Sequence, residues 1–216
     1  MPDGPRAVAI ARRARSEEER QAKLQAILDA ALDVFAEKGF ADTRLDDVAA
    51  RAGVAKGTIY LYVESKQALF EALVRSGITA PLAAVEAQVL ALDATAETML
   101  RMLFAALRRE VLQTRRKEIV RLVLAEAHRF PDIAAFYHRE VVSRGMALLR
   151  RVAERAIERG ELSSDELVRF PQLAIAPVLV ALLWANLFER FEPLDAEAML
   201  DAHLALLMRA LKGSGA

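Results

Sequence analysis

Apolar residues recur at three- and four-residue steps along almost the whole chain, the spacing of one face of an α-helix. Leu24, Ile27, Leu28, Ala31, Leu32, Val34 and Phe35 make the first such stripe, and Gly39 closes it as a C′ glycine does. Thr43 is placed to cap a second, short helix, with Asp46 following in a capping-box-like pattern. Leu45, Val48, Ala49 and Ala52 mark its inner face, Gly53 ends it, and a third short helix over 56–63 points Ile59 inward. Ser65 caps a longer fourth helix carrying Leu69, Phe70, Leu73 and Val74, which Pro81, lacking an amide donor, should bend or interrupt. Further amphipathic helices are expected over 95–113, 115–129, 131–160, 165–190 and 195–211. No stretch alternates for long with period two, so the fold class is all-α.

The chain thus divides into a flexible basic arm (1–17), a compact three-helix domain (18–66), a larger helical bundle (67–212) and a short tail (213–216). Its 216 residues are long enough to bury a core without staples. The absence of cysteine excludes disulfides, thiolate zinc sites and a cysteine nucleophile, and fits a reducing, cytoplasmic location. Lys plus Arg and Asp plus Glu both number 30, so any contact with a polyanion must come from a local patch. The apolar stretch from Ala7 to Ala11 is too short for a signal peptide, and its arginines follow rather than precede it. The charge-free run 170–188 approaches the length of a membrane span, but Pro171, Gln172, Pro177 and Asn186 interrupt it and no other segment comes close. A membrane partner is therefore not expected; a membrane or partner-docking protein using 170–188 is the alternative, which recovery only with detergent would favour.

The stretch Leu45 to Lys66 has helix-turn-helix spacing, with Gly53 supplying the left-handed turn and Val48 and Val54 pinning the two helices. Lys56, Thr58, Tyr60 and Tyr62 are read as the outer face of the second of these helices, and Gly57 as a point of close backbone approach. Such a helix fits the major groove of double-stranded DNA. Arg44 and Lys66 stand where flanking phosphates would run. The plainer alternative is a small bundle in which the two tyrosines merely cover an apolar seam.

The segment AILDAALDVFAEKGFADTRLDDVAARAGVAKGTIYLYVESKQALFEALV resembles the N-terminal DNA-binding domain of TetR-family transcriptional regulators. The resemblance covers roughly residues 24–74 and rests on Gly39-Phe40, Thr43, Val48-Ala49, Ala52-Gly53-Val54, Gly57-Thr58-Ile59-Tyr60 and Ser65-Lys66. It implies that Lys56, Gly57, Thr58, Tyr60 and Tyr62 belong to a DNA-facing recognition helix and that Lys66 contacts phosphate. Ala55, Arg44 and Val63 depart from the usual pattern, the first by removing a side-chain cap. The resemblance further implies a homodimer, formed by the last two helices pairing with their twofold mates. Leu182, Phe188, Met199, Leu200, Leu204, Leu207, Met208 and Leu211 are the interface candidates. RLVLAEAHRFPDIAAFYHREV is similar to the effector domains of an AefR-like subgroup, which implies regulation by an organic molecule.

Candidates to line an effector pocket are Phe104, Leu107, Glu126, His128, Phe130, Phe136, Tyr137, Met146, Trp184 and Phe188, large apolar groups with a few polar ones. An enzyme is not expected. The three histidines are far apart, and no Glu-x-x-His, His-Glu-x-x-His, phosphate-binding glycine loop or Gly-x-Ser-x-Gly occurs. Catalytic residues, metal ligands and cofactors are accordingly assigned to no position. The sequence expectation is a dimeric, ligand-responsive repressor whose partners are duplex DNA, its own second copy and a small effector.

Overall fold

A computed structural model describes residues 5–211, with side chains from Glu17 onward; the flexible arm expected over 1–17 is instead helical from Pro5, as the first part of a long helix, and the tail expected over 213–216 lies outside the described residues. Among the described residues twelve α-helices follow one another: α1 (Pro5–Asp42), α2 (Leu45–Arg51), α3 (Lys56–Ile59), α4 (Lys66–Val74), α5 (Ala80–Ala91), α6 (Ala96–Leu107), α7 (Lys117–Glu126), α8 (Pro131–Tyr137), α9 (Ser143–Glu158), α10 (Glu166–Arg169), α11 (Gln172–Leu187) and α12 (Ala196–Leu211). Among the described residues there is no strand. Two compact units meet inside α4, between Leu73 and Val74, past the boundary expected after residue 66.

The shift has a packing cause. In the first unit Phe35, Phe40 and Phe70 form a closed triangle with centroids 5.7, 6.3 and 5.9 Å apart, so α4 contributes one of three core rings. Ile27, Val34, Val48, Ile59 and Leu69 complete that core. Gly39 breaks α1 with φ 74° and ψ 176°, a backbone that a side chain would strain, and lets Phe40 fold back beneath Phe35. Thr43 does not cap α2. Its buried hydroxyl donates to Gly39 O at 2.7 Å, tying the turn back to α1, while Arg44 holds the cap position without a side-chain bond. Ser65 does cap α4, its Oγ accepting Ala68 N–H at 3.0 Å.

In the second unit the amphipathic helices turn Leu100, Ile119, Ile133, Leu148, Val152 and Leu204 inward. Arginines at the end of α9 fasten the loop between α5 and α6: Arg155 and Arg159 donate to the carbonyls of Leu92 and Ala94, and both reach Asp93. Ser163 donates both N–H and Oγ–H to Leu211 O, at 3.0 and 3.1 Å, closing the end of α12.

Wide π turns at Arg75–Thr79 and His138–Val142 join helices that the periodicity presented as single segments, and another at Arg108–Leu112 prolongs α6 to the end of the segment expected over 95–113. The first directly precedes Pro81. An α-helical carbonyl four residues back would collide with the proline ring, and the wider turn relieves that conflict so the helical run continues. That run, Lys66–Ala91, is long and apolar enough to cross a membrane by length and composition, which corrects the expectation that only 170–188 approaches this. Its first half nevertheless supplies Leu69, Phe70 and Leu73 to a protein core, and core helices meet the same criterion. The 165–190 segment is itself divided at Phe170–Pro171, leaving α11 shorter than a span.

Candidate nucleic-acid interface

Helices α2 and α3 form a helix-turn-helix around Gly53, whose φ is 66°. Backbone bonds fix the turn: Gly53 N donates to Ala50 O and Val54 N to Ala49 O. α3 has only one helical turn, but its fold continues through Val63, because Leu61 N donates to Thr58 O and both Tyr62 N and Val63 N donate to Ile59 O. Ile59 is fully buried and Val63 nearly so, which fixes which side of this short element faces out.

The outer face differs from the expected one. Lys56, Thr58, Tyr60 and Tyr62 alternate along the chain, and at about 100° per residue alternating positions cannot share one helical face. Opposite Ile59 stand Gly57 and Leu61. A Cβ built on Gly57 meets nothing within 4 Å, and Leu61 is 82% exposed. Tyr60 (50% exposed) and Lys56 flank this crest on one side; Thr58 and Tyr62 flank it on the other and are half-buried. Neither tyrosine is entombed. Leu61 was overlooked because the outer face was chosen by polarity, although an inward Ile59 already turns Leu61 outward.

Charge is arranged around the crest. Lys56 Nζ lies 2.7 Å from Asp46 Oδ2, and that hydrogen-bonded carboxylate raises the ammonium pKa. Lys66 is engaged otherwise than expected: its Nζ donates to Ala41 O at 2.7 Å and sits 4.8 Å from the Phe40 ring centroid, steadying the end of α1. An ammonium has three donors, so this leaves hydrogen-bonding capacity toward an anion. Lys66, Lys38 and the exposed Arg44 border one shallow groove, together with Thr43 and Asp47. Asp47, held by Lys38 at 2.9 Å, has its carboxyl below the usual range through that hydrogen bond. Asp46 and Asp47 temper the local positive field without removing it.

The architecture and this outward-facing element match known proteins. The family described as "Bacterial regulatory proteins, tetR family" matches residues 27–73, and that described as "Tetracyclin repressor-like, C-terminal domain" matches residues 94–205. The chain belongs to the TetR family. It is a DNA-binding transcriptional regulator of that family, with an N-terminal helix-turn-helix domain and a helical C-terminal domain. The HTH-type transcriptional regulator RutR of Escherichia coli (strain K12) is 46% identical over 66 residues, 31% of this chain and 31% of that one. The match therefore spans under a third of such curated relatives. Two solved structures share the TetR fold over nearly their whole length. The fatty acid degradation regulator FadR from Bacillus halodurans has a TM-score of 0.69 at 22% identity, covering 96% of this chain and 97% of that one. FadR from Bacillus subtilis in complex with stearoyl-CoA has a TM-score of 0.68 at 22% identity, covering 87% and 98%.

In the second unit the residues expected at an effector pocket are dispersed. Phe104, Phe136 and Glu126 are buried, with Glu126 Oε2 3.6 Å from Arg129. Leu107, Phe130, Tyr137, Met146 and Trp184 are half-buried, while His128 and Phe188 are exposed. Arg75 and Arg139 both stack on Phe136, and burial pushes the Tyr137 hydroxyl pKa up to about 12. Phe188 meets Trp184 edge to face with centroids 5.1 Å apart, and Trp184 Nε1–H donates to Glu192 O. A narrow cleft that admits no water-sized sphere is bordered by Leu100, Leu149, Val152 and Leu167 among others, and by none of the ten candidates.

Of the expected interface residues, Leu182, Leu200, Leu204, Met208 and Leu211 are buried in the unit's own core. They already have partners within the chain. Met199 and Leu207 are half-buried, and Phe188 is exposed. Outward apolar residues stand mostly on α11, at Leu173, Leu179, Val180, Leu183 and Leu187, with Leu206 outward on α12.

Proposed function

We propose that this TetR-family regulator acts as a homodimeric repressor that binds a near-palindromic operator and is released by a small, largely apolar effector. The observation that carries the DNA reading is the crest of α3: Gly57, Tyr60 and Leu61 stand outward above a buried Ile59, with Arg44, Lys56 and Lys66 around them. A helix so presented enters the major groove while nearby cations and amides bind phosphates.

The exposed stripe of α11 supports self-association, since contiguous apolar surface of this kind marks an interaction site. A twofold dimer would set two recognition helices about 34 Å apart, one turn of DNA. The cleft beside Leu100, Leu149 and Leu167 supports regulation by rearrangement. Small-molecule sites measure about 300–1,000 Å³, so an effector entering there must open space, because the cleft admits no water-sized sphere. The helical run Lys66–Ala91 would carry that rearrangement to the reading unit. The acyl-CoA bound by the Bacillus subtilis FadR structure is consistent with an apolar effector for this chain as well.

Selection of binding sites from random duplexes tests the reading. An enriched inverted repeat, bound by two chains and released by apolar compounds in a follow-up screen, is the expected result. Failure to enrich any duplex would overturn the DNA assignment; a single non-repeated site would overturn the twofold dimer.

A further inference from the structure

We propose that Leu61 reads the 5-methyl group of a thymine in each operator half-site. The inference rests on the DNA-binding reading above and adds to it a specificity-determining residue.

Among the described residues Leu61 is the most exposed large apolar side chain, at 82%. The exposure is built in rather than a consequence of looseness. The Leu61 amide donates to Thr58 O at 3.1 Å, and the next two amides donate to Ile59 O at 3.0 Å. Buried Ile59 and Val63 anchor the backbone on either side. One turn earlier, Gly57 offers no side chain, and nothing else stands within 4 Å of its missing Cβ. Leu61 is therefore held outward on a fixed frame with its neighbour on the same face pared away.

A leucine in this position adds nothing to its unit's core. One leucine among Lys56, Tyr60 and Glu64 is also far too small for a protein interface, which requires roughly 800 Å² per partner. A duplex groove offers a better match. Base edges in the major groove present hydrogen-bonding groups with one apolar exception, the thymine methyl. Leu61 has no hydrogen bond to give and so selects that feature. Its flanking tyrosine and lysine supply the polar contacts that position the helix.

The test uses the full-length protein and the operator recovered by site selection. Each thymine is replaced in turn by deoxyuridine, which removes only the methyl group. The wild type should lose about fourfold in affinity at one symmetry-related thymine per half-site, the effect of one buried methyl. In Leu61→Ala that penalty should vanish, whereas Tyr60→Phe should retain it. The exposure of Leu61 makes the alanine variant safe for folding, and the wild-type scan needs no variant at all. If every deoxyuridine duplex binds the wild type equally well, or if the penalty persists in Leu61→Ala, the proposal is overturned while the DNA-binding reading stands. If the wild type enriches no duplex, both fall together.

Discussion

The two units of this protein expose apolar residues in different ways. The reading unit buries a triangle of phenylalanines and leaves one leucine and one tyrosine outward on a short, anchored element. The second unit buries its leucines, isoleucines and valines and leaves an extended stripe along α11. A solitary apolar tip suits a narrow groove with few apolar features, whereas a stripe several turns long suits another helix. On the reading proposed above, the same physical preference would serve recognition of a nucleic acid in one unit and of protein in the other.

Four substitutions would break or sharpen that contrast. Phe70→Ala removes one ring of the triangle and should cost the first unit about 3–5 kcal/mol, abolishing operator binding while the second unit keeps its helical content. Denaturant titration followed by circular dichroism would show two separated transitions, and a single unchanged one would contradict the independence of the cores. Leu183→Glu places a charge in the α11 stripe. Self-association should weaken by roughly a hundredfold, about 3 kcal/mol, without loss of melting temperature; sedimentation equilibrium measures it. An unaltered dimer would remove α11 from the interface.

A smaller effect is expected at Gly77, where an added Cβ would stand 2.6 Å from Ile119 Cδ1. Gly77→Ala should destabilise the second unit by about 1–2 kcal/mol, overpacking outweighing alanine's better helix propensity. Adding Ile119→Val, which deletes the offending carbon, should restore most of the loss. Asp93→Asn should have the least effect. Hydrogen bonding and charge from Arg159, then Arg155, hold the Asp93 carboxyl below its ordinary range. Its contribution is thus present above the unfolded aspartate pKa and fades as pH falls through the lowered folded value. The asparagine variant should flatten that acid limb of a melting-temperature profile and barely change it at neutral pH, since the pair is exposed.

Much of this arrangement was legible in the sequence because it depends on local rules. Gly39, Gly53 and Gly160 all adopt the positive φ that a helix end or tight turn demands. Ser65 caps as its type and position required. Thr43 was harder to place, because a capping threonine and one that binds back to the preceding helix occupy the same place in the text. The π turns were hidden because one extra residue shifts the apolar period too little to notice over a few turns. At the candidate site, Lys56, Gly57 and Tyr60 were proposed from pattern, and Leu61 was within reach of the inward Ile59, since two residues further along a helix lies on the opposite side.

Both of the last two helices were expected to face a second copy, and they differ in how much apolar surface they leave outward. α12 has one dense apolar row, and Leu200, Leu204, Met208 and Leu211 spend it on the core. α11 is apolar nearly all round, so burying one side leaves another uncovered. Density of apolar residues signals a core-facing row; their presence on every side signals a second surface.

The double grip of Ser163 on the Leu211 carbonyl reaches across 48 residues of chain. Helix termini ordinarily fray, opening and closing many times before the body of the helix does. Here the last turn of α12 cannot open alone without also freeing the loop after α9. In heavy water, the Ser163 amide should trade its proton slowly despite lying outside any helix, at the pace set by that terminal turn, and so act as a built-in gauge of loosening at this end of the bundle.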